Sequence, residues 1–291
     1  MWVFLNDQFV PENEACISVF DQGFLYGDGV FETLRVHGHR VKFLDDHLAR
    51  LRESCRLINL PLPNPEPNWR EHLQELCEQN SLVEAAIRIT VTRGTSATGF
   101  ASHPASAPTI VIFARPLPNL TSEHRECGVS IATTDIRRQS PLALPPNMKS
   151  LNYLNNILAK QEATRKQAFD GLMLNTDNHV SECSTSNVFF VKHTRLCTPS
   201  IECGILPGIT RKIVLKLSQD EGIPIQEGRY ERQEMSQATE CFLTNTGFGI
   251  LPVQTIDSHR MGPYGKGSIT NRLRQAYRAY LGMAGEDSLK S

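Results

Sequence analysis

The chain has 291 residues, 40% hydrophobic and 21% charged, with 30 basic against 31 acidic side chains and a net charge of −1. That length implies one large or two medium domains of ordinary soluble composition. A near-neutral balance without a long charge block argues against nucleic acid or an anionic membrane as partner, and runs such as "IVIFA" are far too short to span a bilayer.

"MWVFLNDQFV" turns polar at Asn6 and Asp7 after four apolar residues, too few for a signal-peptide core. The eight cysteines form no CxxC pair and read as reduced thiols of a cytoplasmic protein. No metal site is expected. "GVFETLRVHGHRVKF" reads as a hairpin turning near His37 and Gly38. "LDDHLARLRESCRLINL" reads as an amphipathic helix with Leu44, Leu48, Leu51, Cys55 and Ile58 on one face, ended by Pro61. Trp69, Leu73, Leu76 and Cys77 mark a second helix. In "AAIRITVTRG" a strand places Ile87, Ile89 and Val91 on one face and Arg88, Thr90 and Thr92 on the other, which suits a polar cavity. "PTIVIFA" is expected to be a strand buried on both faces.

Residues 116–127 are polar, proline-bearing and aperiodic, and are expected to link a domain over 1–115 to one over 128–291. In the second, "GVSIATT", "DGLMLNT", "NVFFVK", "ECFLTN" and "GILPVQTI" read as strands. "NMKSLNYLNNILAK" reads as the start of a helix, with Leu151, Leu154, Ile157 and Leu158 as its apolar stripe and Lys149 at its mouth. "ITRKIVLKLSQDEG" and "GSITNRLRQAYRAYL" are further helices. Regular βαβ alternation is missing, which disfavours a Rossmann sheet.

Taken alone, Lys149 is an ordinary solvated lysine; the sharper reading is a desolvated amine able to form a Schiff base. That chemistry needs a phosphate cradle and an acid group. Gly208 precedes a helix beginning near Ile209 and Thr210, where unpaired N–H groups attract phosphate. "TNTGFG" offers the Thr246 hydroxyl and the Gly247 amide, and Arg50 offers a planar fork. Glu182, in "HVSECSTSNVFF", could keep a pyridine nitrogen protonated. Each of these residues also has an ordinary structural reading.

In order along the chain, "YGDGVFETLRV", "HLARLRESC", "VTRG", "NMKSLNYLNNILAKQEA", "SECSTSNVFFV", "GILPGITRKIV" and "LTNTGFGILPV" resemble the class IV aminotransferases, the pyridoxal-phosphate enzymes of fold type IV. That group includes branched-chain and D-amino-acid aminotransferases and 4-amino-4-deoxychorismate lyases. The resemblance implies a mixed α/β (α+β) chain of two domains, an N-terminal α/β sandwich-like domain and a C-terminal pseudo-barrel domain. It implies a homodimer with its site between the domains, and pyridoxal 5'-phosphate as cofactor. Lys149 matches the Schiff-base lysine and Glu182 the carboxylate on the pyridine nitrogen. Arg50, Ile209, Thr210, Thr246 and Gly247 match the phosphate cup, and Tyr153 resembles the tyrosine on the ring hydroxyl, one residue closer to the lysine than in branched-chain enzymes. Tyr26 and Phe31 match positions on the substrate side.

The arginine that follows "TRG" in D-amino-acid aminotransferases and in many deoxychorismate lyases is missing at Thr98, and the histidine of Bacillus-type D-enzymes is missing at Phe100. Arg88 matches the strand arginine of branched-chain enzymes, with Arg35 and Arg93 as the next candidates, whereas Thr33 leans toward the lyases. The expected activity is amino transfer between an amino acid and a 2-oxo acid. The alternative is a lyase releasing pyruvate and 4-aminobenzoate. A non-catalytic pyridoxal-phosphate-binding relative is the distant third.

Overall fold

The computed structural model describes residues 1–96, 107–117 and 119–282. The chain forms two compact units, one of Met1–Pro118 with Asn147–Tyr153, the other of Asn119–Pro146 with Leu154–Ser291.

The first unit contains strands β1 (Trp2–Leu5) and β2 (Gln8–Pro11), the short helix α1 (Gln22–Tyr26), and the hairpin β3 (Gly29–His37) and β4 (Arg40–Val41). Helices α2 (Leu44–Leu57) and α3 (Trp69–Gln79) and strands β5 (Glu84–Thr92) and β6 (Thr109–Arg115) complete it. Its sheet is antiparallel, in the order β2-β1-β6-β5-β3-β4. Pleating sorts the side chains. Val30 and Leu34 of β3 share a buried face with Ile87, Ile89 and Val91 of β5 and Ile110 and Ile112 of β6. Leu48 and Leu51 of α2 and Leu73 and Leu76 of α3 complete this core. Phe31, Thr33, Arg88 and Thr90 stand on the opposite face. Strand β6 is not buried on both faces as expected. Val111 and Phe113 lie opposite Thr90 and Arg88, on that polar face, and are only half-buried.

The segment around Lys149 also departs from expectation. It is extended rather than helical, and residues 149–151 pair along the free edge of β3. Phe31 N donates to Lys149 O at 2.9 Å, Leu151 N donates to Gly29 O at 2.9 Å, and Ser150 bridges Val30. The sequence periodicity spans a boundary here, because a helix does start, but only at Leu154.

The second unit opens with helix α4 (Ser122–Glu126), capped by the Thr121 hydroxyl, so the expected linker 116–127 holds regular structure. Strand β7 (Val129–Thr133), helix α5 (Leu154–Arg165) and strands β8 (Asp170–Leu174), β9 (Val180–Cys183), β10 (Asn187–Lys192) and β11 (Arg195–Pro199) follow. Next come α6 (Ile209–Asp220), β12 (Ile225–Gly228), α7 (Arg232–Met235), β13 (Glu240–Asn245), β14 (Gly249–Ile256), β15 (His259–Arg260) and α8 (Ile269–Leu281). Nine strands form one mixed sheet along β12-β11-β10-β13-β14-β7-β8-β9, with β15 on β14. Leu120, Val129, Ile131, Leu172, Phe190 and Leu243 belong to one core. The stacked rings of Phe189 and Phe242, 5.0 Å apart, are also buried.

Helix α5 does not bury its leucines. Leu154, Ile157 and Leu158 are 65%, 46% and 40% exposed, while Asn156, Ala159, Glu162 and Ala163 face inward. Close approach explains the small inward residues. A Cβ on Gly171 of β8 would lie 2.7 Å from the Ala159 carbonyl oxygen, so helix and strand touch backbone to backbone. None of the described helices is long and apolar enough to cross a membrane.

Candidate active site

Lys149, Phe31, Tyr153 and Arg88 cluster in the first unit. The pairing of 149–151 with β3 holds the lysine backbone, and Lys149 N donates to Ser54 Oγ on α2 at 3.2 Å. The Lys149 Nζ lies 4.4 Å from the Phe31 ring centre and 5.9 Å from that of Tyr153, and the two rings meet edge-on at 5.5 Å. The Arg88 guanidinium lies 3.8 Å from the same Phe31 ring centre. One aromatic ring therefore contacts two cationic side chains. Each attraction to the ring is worth about 0.5–2 kcal/mol, and the charges oppose each other. Arg88 donates to Thr90 Oγ1 at 3.1 Å and has no carboxylate partner among the described residues. Burial lowers its pKa, opposed by Tyr153. Thr33 is paired directly with Arg88 across β3 and β5.

The other arginines considered are occupied. Arg93 pairs with Asp28 at 2.6 Å and Arg35 with Glu84 at 3.2 Å. Tyr26 ends α1 and is exposed. Thr98 and Phe100 lie outside the described residues.

Arg50 is held by a residue that sequence reasoning passed over. Glu32 falls in the apolar register of β3, where a lone carboxylate would cost several kcal/mol. It is fully buried and accepts from Arg50 Nε at 2.6 Å and Nη2 at 2.8 Å, and its Oε2 lies 2.8 Å from His47 Nδ1. Burial pushes the Glu32 carboxyl up, but Arg50 and His47 outweigh it and bring its pKa to about 2. For His47 burial wins and lowers the pKa; Glu32 opposes, while the Arg50 and Lys149 charges add to the lowering. The available signal was the carboxylate itself, standing between Val30 and Leu34 in an apolar alternation.

Glu182, Ile209, Thr210, Thr246 and Gly247 lie in the second unit. Glu182 sits inside β9, buried. Its Oε2 accepts from Asn187 Nδ2 at 3.0 Å and Leu206 N at 3.0 Å, and its Oε1 is 3.1 Å from Arg138 Nη2. Arg138 also donates to Gly204 O and Asn156 Oδ1, and Asn187 to Leu206 O. This web fixes a buried carboxylate by three donors, and sequence gave no cue for Arg138, which lies in an aperiodic loop. Helix α6 begins at Gly208, in extended backbone, with no side chain capping it. Ile209 and Thr210 form its buried first turn. A Cβ on Gly208 would lie 2.1 Å from Asn187 Oδ1, so a side chain there would displace the Asn187 amide. Thr246 and Gly247 form the turn from β13 to β14, where Phe248 N donates to Asn245 Oδ1 at 2.9 Å and Asn245 Nδ2 to Thr185 O at 3.3 Å. An uncapped helix start, close backbone and a hydroxyl suit an oxyanion such as a phosphate ester. A groove of about 710 Å³ in this unit, lined by Asp177, His179, Glu231 and His259, contains none of the candidate residues.

Residues 29–256 match the model of the class IV amino-transferases. A "putative branched-chain-amino-acid aminotransferase" of Methanocaldococcus jannaschii is 36% identical over 278 residues, 96% of both chains. The aminodeoxychorismate lyase of Bacillus subtilis is 31% identical over 95% of this chain and 93% of its own. The Escherichia coli branched-chain amino acid aminotransferase structure superposes with a TM-score of 0.89 at 27% identity, covering 97% of this chain and 95% of that one. Its architecture is accordingly the fold type IV arrangement, and the chain belongs to the class IV aminotransferases, a family of enzymes that use pyridoxal 5'-phosphate.

Proposed function

We propose that the protein is a pyridoxal-phosphate-dependent aminotransferase moving an amino group between an amino acid and a 2-oxo acid. The observation that carries this reading is the pair Lys149 and Arg88 on one Phe31 ring, an amine and a guanidinium that has no carboxylate partner among the described residues. When bound, the cofactor supplies an electron sink conjugated to the substrate α-carbon. Lys149 Nζ would hold the cofactor covalently and, once displaced by the substrate amine, would be the free base that takes the substrate α-proton and carries it away from that carbon. Glu182, fixed by Arg138, Asn187 and the Leu206 amide, would hold the cofactor's ring nitrogen and favour its protonated form. Ile209 and Thr210 at the start of α6, with Thr246, Gly247 and Arg50, hold the phosphate. Tyr153 bonds the ring hydroxyl, Arg88 binds the substrate carboxylate through its planar fork, and Tyr26 and Phe31 line the substrate side. The exposed apolar stripe of α5, and exposed Phe20 and Phe24 in the first unit, support a homodimer. The reduced cysteines favour a cytoplasmic setting.

Borohydride reduction followed by peptide mapping tests the covalent assignment and should mark Lys149. A mark on Lys160, bonded to Phe169 O, or on Lys166, paired with Glu162, would refute it. A panel of D- and L-amino donors, read by bleaching of the cofactor colour, identifies the donor. Colour without any response would favour a pyridoxal-phosphate-binding relative without activity.

Thr33, opposite Arg88 on the polar face, favours a second reading, a lyase acting on 4-amino-4-deoxychorismate to give pyruvate and 4-aminobenzoate. Pyruvate release from that substrate, without an added acceptor acid, separates the two.

A further inference from the structure

We propose that Glu32 is a positioning residue for the cofactor phosphate, its carboxylate fixing the plane of the Arg50 guanidinium before the phosphate arrives. This rests on the reading of Arg50 as a phosphate ligand. Two parallel bonds, from Nε at 2.6 Å and Nη2 at 2.8 Å, fix both the plane and the rotation of the fork. The carboxylate is itself held from a second point. His47, one turn before Arg50 on α2, bonds Glu32 Oε2 at 2.8 Å. Glu32 stays anionic, and an anion cannot donate, so His47 Nδ1 carries the hydrogen. An arginine loses rotamer freedom when it binds a ligand; in this cluster that freedom is already lost.

A purely structural tie between β3 and α2 is a poor explanation of the same atoms. His47 is fully buried and its Nε2 has no partner, so the cluster leaves a polar atom unsatisfied inside the core. Well-packed apolar residues hold a strand to a helix at least as well as a buried ionic group. A cluster that costs this much and orients one guanidinium is an arrangement for binding an anion.

The test compares pyridoxal 5'-phosphate with pyridoxal, which lacks the phosphate, as ligands of the full-length apoprotein, with dissociation constants read by fluorescence. In Glu32→Gln the constant for pyridoxal 5'-phosphate should rise tenfold or more while that for pyridoxal changes less than threefold. Glu32→Asp, which keeps the charge but draws it back by one methylene, should give a smaller rise of the same selectivity, and it decides the matter if Glu32→Gln does not fold. Equal weakening toward both ligands would make Glu32 a support of the fold and overturn the proposal. So would wild-type affinity for the phosphorylated ligand in the Glu32 variants beside a lost preference in Arg50→Gln. Should Arg50→Gln keep the full preference for the phosphorylated ligand, the underlying assignment of Arg50 fails, and the proposal falls with it.

Discussion

Replacing Arg88 by alanine separates substrate recognition from structure. The guanidinium is half-buried, and a carboxylate meeting its fork makes two charge-assisted hydrogen bonds. Truncating one partner of such a desolvated pair costs ~2–4 kcal/mol, which is roughly 30- to 800-fold in affinity at about 1.4 kcal/mol per decade. The loss should fall on KM for amino acids, because the carboxylate is bound alike in ground and transition states. Little of it should fall on folding. Among the described residues, Arg88 contacts the Thr90 hydroxyl and the Phe31 ring, with Tyr153 acting on it electrostatically. Those contacts together are worth about 1–2 kcal/mol, and relief of a buried cation without a counterion offsets part of that. The assay is kcat/KM for one amino acid and for the amine left by its decarboxylation, in wild type, Arg88→Ala and Arg88→Lys. The amino acid should lose the full factor in the alanine variant, the amine less than about threefold. Lysine should recover only part, since it offers a point charge without the fork. Equal losses on both substrates would assign Arg88 to structure and refute the reasoning.

Lys149→Ala should abolish turnover while the protein still binds pyridoxal 5'-phosphate non-covalently; residual turnover above one-hundredth of wild type by stopped assay would count against its role. Glu182→Gln should keep the melting temperature within a few degrees but cut kcat by about 100-fold or more, since an amide cannot keep the ring nitrogen protonated. Gly208→Ala would push Asn187 away from Glu182 and Leu206, costing ~1–3 kcal/mol in a denaturant titration and weakening cofactor binding. Glu32 gives a pH signature. Its carboxyl is lowered from 4.5 to about 2 on folding, so its contribution, ~3 kcal/mol, is complete above pH 4.5 and lost as pH falls toward 2. The stability gap between wild type and Glu32→Gln should therefore narrow over that window; a gap independent of pH would mean that Glu32 is not ionised in the native protein.

Periodicity reported element type well where a segment had one buried side. Helix α2 buries Leu44, Leu48, Leu51 and Cys55 as their spacing requires, and β5 separates Ile87 and Ile89 from Arg88 and Thr90. It failed where the partner surface was not water or a simple core. The leucine stripe of α5 gave the helix but the wrong buried face, because a pattern of apolar residues cannot say which neighbour covers it. Contact with β8 admits only small or hydrogen-bonded residues, and the leucines are left on the outside. The same stripe hid the extended segment 149–151, whose structure comes from the edge of β3, more than a hundred residues earlier in the chain. Such pairing is nonlocal and leaves no mark in the local sequence.

The site divides in a similar way. Residues with a local signature were legible. Gly208 before a helix, the glycine turn at Thr246 and the lysine after two prolines could each be picked out, though their joint meaning came from the resemblance. Residues that act by holding another side chain were not. Glu32, His47, Arg138 and Asn187 are set by contacts across 18, 15, 44 and 5 positions, to Arg50, Glu32, Glu182 and Glu182 in turn, and apart from the apolar register of Glu32 their types are unremarkable. Among the described residues, several features break a local rule: Glu32 is a carboxylate in an apolar register, His47 Nε2 is buried without a partner, Arg88 is an arginine without a carboxylate, and α6 starts without a side-chain cap. Each would be a defect in a protein selected for stability alone. Their requirements are nonetheless complementary. The start of α6 has no side-chain cap, Arg88 has no carboxylate among the described residues, and Lys149 and Arg88 share one ring. On the proposed reading a phosphorylated aldehyde would bring an anion to the start of α6 and an amino acid would bring a carboxylate to Arg88, so these departures from stability rules would follow from the proposed chemistry.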